Sequence, residues 1–190
     1  LDLDALIDHC TIYDGFITKW YDQSGNSEDL LQSTATNQPK IVASGVTITE
    51  NDKPAIRFDG VDNWVESTAI DVSSTNVWIF SNITRKGTGG GYQNMYIIAT
   101  NISSAGSNFM HLYENDDDII RGNWNSGSWD INPEDNNIST DEQLLVTQGL
   151  TSSDTYLYKN GVSLGTTEGG STYTVTGDLF VGSWNSNYFN

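Results

Sequence analysis

The sequence predicts an all-β fold in one domain, a sandwich or barrel of short antiparallel strands. Runs rich in β-branched and aromatic residues recur at a spacing of about 8–12 residues, which is typical of these architectures. Clusters of Gly, Asn, Asp and Ser separate the runs, and helical periodicity is nearly absent. The chain has 190 residues, of which 36% are hydrophobic, enough for one core. No linker or internal repeat divides residues 1–190, so we expect a single domain.

The first half of the chain predicts one short helix followed by strands. Leu3, Leu6 and Ile7 fall on one face of a helix or turn over residues 1–9. The strands that follow are short and end at turn residues. Their predicted ranges are 16–21, 40–43, 46–49 and 55–58.

The second half predicts a longer series of strands. In the run 77–84 we expect Trp78, Phe80 and Ile83 to be packed in the core. Asn160-Gly161 tolerates positive φ at both central positions of a type I′ turn, so it predicts a β-hairpin. The predicted ranges are 77–84, 94–100, 108–113, 119–124, 143–150, 155–158, 162–165 and 178–182.

The charge balance excludes several classes of partner. Eight Lys and Arg against 25 Asp and Glu give a net charge of −17. Nucleic-acid binding and attraction to an anionic membrane both need clustered basic residues, so we expect neither. No apolar run reaches the roughly 18 residues of a membrane span, which argues against membrane insertion. The single cysteine, Cys10, cannot form a disulfide within the chain and is expected to be a small buried hydrophobe.

Several segments resemble a known family. Residues 20–26 (Trp-Tyr-Asp-Gln-Ser-Gly-Asn) with Asp29-Leu30 resemble a segment near the start of arabinofuranosidase B catalytic domains and of bacterial and phage laminin-G-like domains. The segments 38–41 and 53–60 with Asp62 resemble the next segment of the same domains. The segments 156–162 and 177–182 resemble the late hairpin and strand of laminin-G domains with a concanavalin A-like fold. The resemblance implies a two-sheet antiparallel β-sandwich, the concanavalin A-like jelly roll. Lectins, laminin-G modules and some glycosidases use this fold.

The resemblance also has departures at both ends. Members of the family continue beyond the segment that matches Tyr188-Phe189-Asn190, and they often carry a strand before the position of Leu1. We therefore expect a segment of a longer protein, with an open sheet edge covered by another segment or chain. The expected location is extracellular, on a cell surface or on a virion.

The motif at residues 20–26 is expected to be structural. Asp22 and Ser24 can bond to backbone N–H groups of a turn, and Gly25 can supply a positive φ. A direct role in ligand binding is the alternative.

Three stretches combine aromatic rings with polar side chains, the mixture that recognises sugars. The rings offer faces for the C–H groups of a sugar, and Asn and Ser bond to its hydroxyls. A place in the core is the alternative for each Trp. The candidate ligand-binding residues are Tyr92, Asn94, Trp124, Asn125, Trp129, Trp184 and Asn185. We therefore expect a non-catalytic carbohydrate-binding or adhesion domain.

Acidic residues raise two further hypotheses. Glu114, Asp116 and Asp118 offer oxygen ligands for Ca²⁺, although a solvated acidic turn would have the same composition. Glycoside hydrolysis needs two facing carboxyl groups, and Glu66 and Glu114 are the nearest candidates. Both are expected at strand ends, so we assign no catalytic residue. The alternatives to the binding domain are a glycoside hydrolase of arabinofuranosidase B type and a structural module of a virion or surface protein.

Overall fold

A computed structural model describes residues 2–67, 76–84, 93–99, 110–114, 120–124, 139, 141–151, 154–168 and 178–182. For residues 93–99, 110–114, 120–124 and 167–168 the description is of the backbone alone. The elements in these ranges are the α-helix α1 (Leu3–Cys10), a 3-10 turn (Ala35–Asn37) and the strands β1 (Gly15–Phe16), β2 (Lys19–Trp20), β3 (Leu30–Leu31), β4 (Lys40–Ala43), β5 (Val46–Thr47), β6 (Thr49–Glu50), β7 (Lys53–Pro54), β8 (Trp64–Ser67), β9 (Val77–Thr84), β10 (Gln93–Ala99), β11 (Met110–Glu114), β12 (Ile120–Trp124), β13 (Gln143–Leu150), β14 (Asp154–Lys159), β15 (Val162–Glu168) and β16 (Asp178–Gly182).

The strands in the described ranges form two large antiparallel sheets and two small ones. The seven-stranded sheet has the order β12-β11-β10-β16-β8-β3-β2, and the four-stranded sheet has the order β15-β14-β13-β9. The small sheets are β1-β4-β5 and β6-β7. This arrangement confirms the predicted all-β, two-sheet antiparallel sandwich of the concanavalin A-like jelly-roll class.

Each large sheet has a buried face. Along β13, Leu144 and Val146 are buried, whereas Leu145 between them is exposed. On β8 in the seven-stranded sheet, Val65 and Ser67 are buried. Because successive side chains of a strand point to opposite faces, this alternation identifies the inner face of each sheet.

The helix α1 packs beside the small sheet that contains β4. Asp2 caps the helix by accepting a hydrogen bond from the Ala5 N–H at 3.1 Å. At the other end, Cys10 is buried together with Ile41 and Val42 of β4. The prediction that Cys10 is a small buried hydrophobe is therefore confirmed. Among the described residues, no helix has the length and apolar character needed to cross a bilayer.

The hairpin at Asn160-Gly161 is confirmed. Asn160 has φ 51° and Gly161 has φ 79°, the two positive values that a type I′ turn requires. The Asn160 side-chain oxygen also accepts a hydrogen bond from the Leu145 N–H at 2.9 Å, which joins the turn to β13.

Three predicted strands are wrong in detail. The run 46–49 is divided between β5, which pairs with β4, and β6, which pairs with β7 in a different sheet. The run 16–21 is divided between β1, which pairs with β4, and β2, which pairs with β3 in a different sheet. The run 55–58 forms no strand, since it pairs only where Arg57 bridges to Lys40. Its alternating pattern instead reflects packing, because the ring of Phe58 lies over Gly182 at the end of β16.

Three strands were not predicted, β3, β7 and β8, and β8 is the longest of them. The strand β8 lies between β16 and β3 in the seven-stranded sheet. It has only four residues and includes a charged one, Glu66, so its sequence carries little strand signal. Glu66 therefore lies within a strand of a large sheet, and its expected place at a strand end is wrong.

Candidate functional site

Trp78 and Phe80 on β9 are exposed, which overturns the prediction that they pack in the core. Trp78 is 45% exposed and Phe80 is 69% exposed, whereas Val77 and Ile79 are half-buried. The cause is the pairing with β13, in which Trp78 lies opposite Gly149. Gly149 belongs to the outward-facing set of β13 positions, so its partner also points outward.

The indole ring of Trp78 lies flat over Gly149. A β-carbon at position 149 would lie 2.5, 2.6 and 2.7 Å from three adjacent atoms of the six-membered ring, Cζ3, Cε3 and Cη2. Such similar distances to three adjacent atoms place the face of the ring, rather than its edge, against the backbone. Glycine at position 149 leaves the space that the ring occupies.

Two tyrosine rings continue this surface on β14. Tyr156 pairs with Gly149 from the other side, and its ring centre lies 5.5 Å from that of Trp78 with an angle of 24° between the planes. The ring of Tyr158 follows at 6.5 Å and 10°. The three rings are therefore nearly parallel, and Trp78, which lies flat on the sheet, sets their common orientation. Together with Phe80 they are called the aromatic platform (Trp78, Phe80, Tyr156, Tyr158).

Polar groups border the aromatic platform at the turn between β13 and β14. The Tyr156 hydroxyl donates a hydrogen bond to Asp154 Oδ2 at 3.3 Å. Burial, followed by the negative charge of Asp154, raises the pKa of Tyr156 above its usual 10.0, so this hydroxyl keeps its proton at neutral pH. Thr151 fixes the turn, since its Oγ1 accepts from the Asp154 N–H at 3.0 Å and its N–H donates to the Asp154 carbonyl at 2.8 Å.

The platform is not among the sequence-based predictions, because Trp78 and Phe80 are expected inside and Tyr156 and Tyr158 are assigned only to a hairpin strand. Two signals in the sequence point to it. Trp78-Ile79-Phe80 and Tyr156-Leu157-Tyr158 each place two aromatic rings on one face of a strand. Gly149 interrupts an otherwise bulky strand, which is typical of a place where another group approaches the backbone closely.

Most of the ligand-binding residues predicted from the sequence lie outside the described residues; these are Tyr92, Asn125, Trp129, Trp184 and Asn185. For Asn94 and Trp124 the backbone positions are given. Asn94 pairs with Tyr113 near one end of β11, whereas Trp124 pairs with Met110 at the other end. The structure therefore does not bring these two positions together.

The predicted calcium ligands are described only in part. Glu114 is the last residue of β11, while Asp116 and Asp118 lie outside the described residues. In the part of the chain that the structure describes, no group of three or more His, Cys, Asp or Glu side chains is arranged to hold a metal ion. Calcium binding stays a prediction.

The turn at residues 22–28 is structural, as predicted. The Asp22 carboxylate accepts hydrogen bonds from the Ser24 N–H at 2.7 Å, the Ser24 hydroxyl at 2.6 Å and the Asn26 N–H at 3.1 Å. These bonds lower the pKa of Asp22 to about 2, with the Ser24 hydroxyl as the largest cause. Gly25 supplies a φ of +88° within the same turn.

Comparisons with known proteins support the fold. No family model and no curated protein matches the chain. Among solved structures, Trypanosoma rangeli sialidase shares 10% identity at a TM-score of 0.51 over 95% of this chain and 32% of its own. The alginate lyase AlgAT5 from Polysaccharide Lyase family 7 shares 10% identity at a TM-score of 0.50 over 90% of this chain and 83% of its own. The carbohydrate-binding module CBM66 from Bacillus subtilis shares 15% identity at a TM-score of 0.47 over 68% and 78%. At these identities, the sialidase and the lyase show a shared fold only.

Proposed function

We propose that this chain is a non-catalytic carbohydrate-binding domain that holds a glycan on the aromatic platform. The observation that carries the proposal is the arrangement of Trp78, Tyr156 and Tyr158, three nearly parallel rings on an outward-facing sheet surface. Sugars present flat patches of C–H groups, and an exposed aromatic ring face is a complementary surface for them. The Asp154 carboxylate offers acceptor oxygens to sugar hydroxyls, and the oxygen of the Tyr156 hydroxyl can accept a further hydrogen bond while its proton bonds to Asp154.

The platform is held in place before any ligand arrives. Its members stand on β9 and β14, the two strands that flank β13, and the flat packing of Trp78 on Gly149 restricts the indole. A rigid site loses little conformational entropy when it binds, so more of the contact energy is available for affinity. The surface is open rather than enclosed, and it therefore suits the side of an extended sugar chain better than a chain end.

The setting that fits this proposal is the one the sequence resemblance implies. A laminin-G-like sandwich would act in adhesion or in attachment to polysaccharide, outside the cell, on its surface or on a virion. In this proposal the predicted loop residues around Trp124 and Trp129 form a second contact region. Ca²⁺ bound by Glu114, Asp116 and Asp118 would order the neighbouring turn.

The test is a binding screen against soluble and insoluble polysaccharides, followed by calorimetry on the glycans that bind. We expect Trp78→Ala and Tyr156→Ala each to weaken binding by about tenfold or more, as for a central aromatic contact. The matched control is Trp20→Ala, because Trp20 is 44% exposed, close to the 45% of Trp78, yet lies on β2 of the other large sheet. Equal affinity of Trp78→Ala and the parent, or an equal loss in Trp20→Ala, would refute the platform as the site.

A second arm examines the loops. Trp124→Ala and Trp129→Ala are compared with the platform variants, each with Ca²⁺ and with a chelator. Loss of binding in the loop variants alone would show that the glycan binds at the loops and not at the platform. A folded domain that binds no glycan would favour the structural module instead.

A further inference from the structure

A cavity on the seven-stranded sheet is separate from the aromatic platform. It has a volume of about 280 Å³, close to the lower end of the range for small-molecule sites. It is lined by Leu31, Gln32, Ser33, Thr34, Trp64 and Glu66. The platform belongs to the four-stranded sheet, so the two features do not share a strand.

The wall of the cavity is fixed by Gln32, which is 3% exposed. Its Nε2 donates to the Trp64 carbonyl at 3.0 Å, and its Oε1 accepts from the Thr34 N–H at 3.0 Å. Its own N–H donates to the Thr18 carbonyl at 2.9 Å. These bonds tie the segment 32–34 to β8, so the cavity keeps its shape without a ligand.

Glu66 is the charged group of this cavity. It is half-buried on β8 and pairs with Leu31 on one side and Phe180 on the other. Its carboxylate makes no hydrogen bond or ion pair with the side chains of the residues that the structure describes. Burial, followed by the negative charge of Asp178, raises its pKa above the usual 4.5. A carboxylate between apolar neighbours is costly until a cation or a hydrogen-bond donor compensates it.

We propose that this cavity binds a small ligand that carries a protonated amine, with the ammonium on Glu66 and the carbon skeleton against Trp64. An ammonium group would pair with this carboxylate, and the indole of Trp64 adds attraction for a nearby cation. Ser33 and Thr34 are exposed at the cavity and offer hydroxyls to a polar ligand. A single amino sugar has the size and the groups that this combination needs.

The net charge of the domain favours a cationic ligand over an anionic one. The net charge of −17 attracts small cations from solution and repels anions. An anionic ligand would also meet the charges of both Glu66 and Asp178. The proposal does not depend on glycan binding by the platform, because it uses other residues on the other large sheet.

The experiment follows ligand binding by NMR and calorimetry on the full chain, with glucosamine as the probe and glucose as its neutral match. We expect glucosamine to bind, to shift the backbone signals of residues 31–34 and 64–66, and to bind at least tenfold more tightly than glucose. Glu66→Gln is expected to weaken glucosamine binding by about tenfold or more, whereas Leu145→Ala, at an exposed position on the four-stranded sheet, leaves it unchanged. Ethanolamine distinguishes a site for amino sugars from one for any small amine, and binding of either amine supports the proposal.

Three outcomes would overturn it. Glucose and glucosamine could bind equally, neither amine could bind, or the shifted signals could lie away from residues 31–34 and 64–66. The shifted NMR signals of the parent chain locate the binding site even if Glu66→Gln does not fold. If this proposal is wrong, the proposed function of the platform is not affected. Glycan binding at the platform is expected to be lost in Trp78→Ala and kept in Glu66→Gln.

Discussion

The indole of Trp78 rests face-on upon Gly149, its partner across the pair of strands β9 and β13. Glycine within a strand usually weakens a sheet because it has no side chain to pack. Here the missing side chain is replaced by a ring from the neighbouring strand. The same contact both covers the backbone and orients the first ring of the aromatic platform, so stability and the proposed glycan binding depend on one pair of residues.

Gly149→Ala should displace the indole, because a β-carbon there would lie 2.5 Å from Cζ3 of Trp78. We expect a stability loss of about 1–3 kcal/mol from overpacking, together with weaker glycan binding. The measurement is chemical denaturation of Gly149→Ala, Trp78→Ala and the double variant. The clash disappears without the indole, so the double variant should be more stable than additivity predicts. Strict additivity would contradict the contact.

Leu144 and Leu145 are neighbours in the sequence on opposite faces of β13, with exposures of 1% and 46%. Leu144→Ala should cost about 2–5 kcal/mol, because it removes a buried side chain and leaves a cavity. Leu145→Ala should cost about 0.5 kcal/mol or less, since it alters an exposed position. Urea unfolding of both variants measures the difference. Similar costs would mean that the inner face of this sheet is assigned wrongly.

Asn160→Ala should destabilise the hairpin between β14 and β15. The variant loses the side-chain acceptor of the Leu145 N–H and places alanine at φ 51°. We expect a loss of about 1–2 kcal/mol from these two effects. Asn160→Asp keeps an acceptor oxygen and tolerates this φ, so it should retain most of the stability. Equal melting temperatures for Asn160→Ala and the parent would rule out this role.

Asp22 should make the domain sensitive to strong acid. Its pKa in the folded state is lowered to about 2 from the usual 3.8. The carboxylate therefore stabilises the fold above pH 3.8, and this contribution is lost as the pH falls through about 2. Melting temperatures measured against pH should fall less steeply over this window in Asp22→Asn than in the parent. Parallel curves would show that the turn does not hold the charged form.

The effect of pH on stability that arises from Glu66 should have the opposite sign to that of Asp22. The folded pKa of Glu66 is raised above 4.5, so the charged form is disfavoured by folding and stability is lowered as the pH rises past 4.5. Glu66→Gln should therefore melt at a higher temperature than the parent at pH 7, and the difference should vanish at a pH below 4.5. A lower melting temperature at pH 7 would indicate that the carboxylate has a stabilising partner.

Local patterns predicted the parts of the fold that depend on neighbouring residues. The bounds of β9, β13 and β16 agree with their predicted runs, and Asn160-Gly161 forms the expected turn. Each of these features is encoded within a few residues. The division of residues 16–21 between two sheets depends instead on distant partners, since β1 pairs with β4 and β2 with β3.

The face that β9 presents could not be predicted from its own sequence. Val77 and Ile79 form one apolar set of alternate positions, and Trp78 and Phe80 form another. Either set could fill a core, and the more bulky set was expected inside. The choice is made by β13, in which Leu144, Val146 and Leu150 are buried, so that register places the aromatic set of β9 outside.

The burial of Cys10 has a practical consequence. The thiol is enclosed between α1 and β4, and its sulfur lies 2.7 Å from the place where a side chain on Gly15 would begin. Alkylation of this sulfur should therefore be slow while α1 stays packed against the small sheet. Because the sequence contains only one cysteine, the rate of alkylation in native buffer reports the accessibility of this one site. The domain thus carries an intrinsic kinetic probe that needs no engineered label.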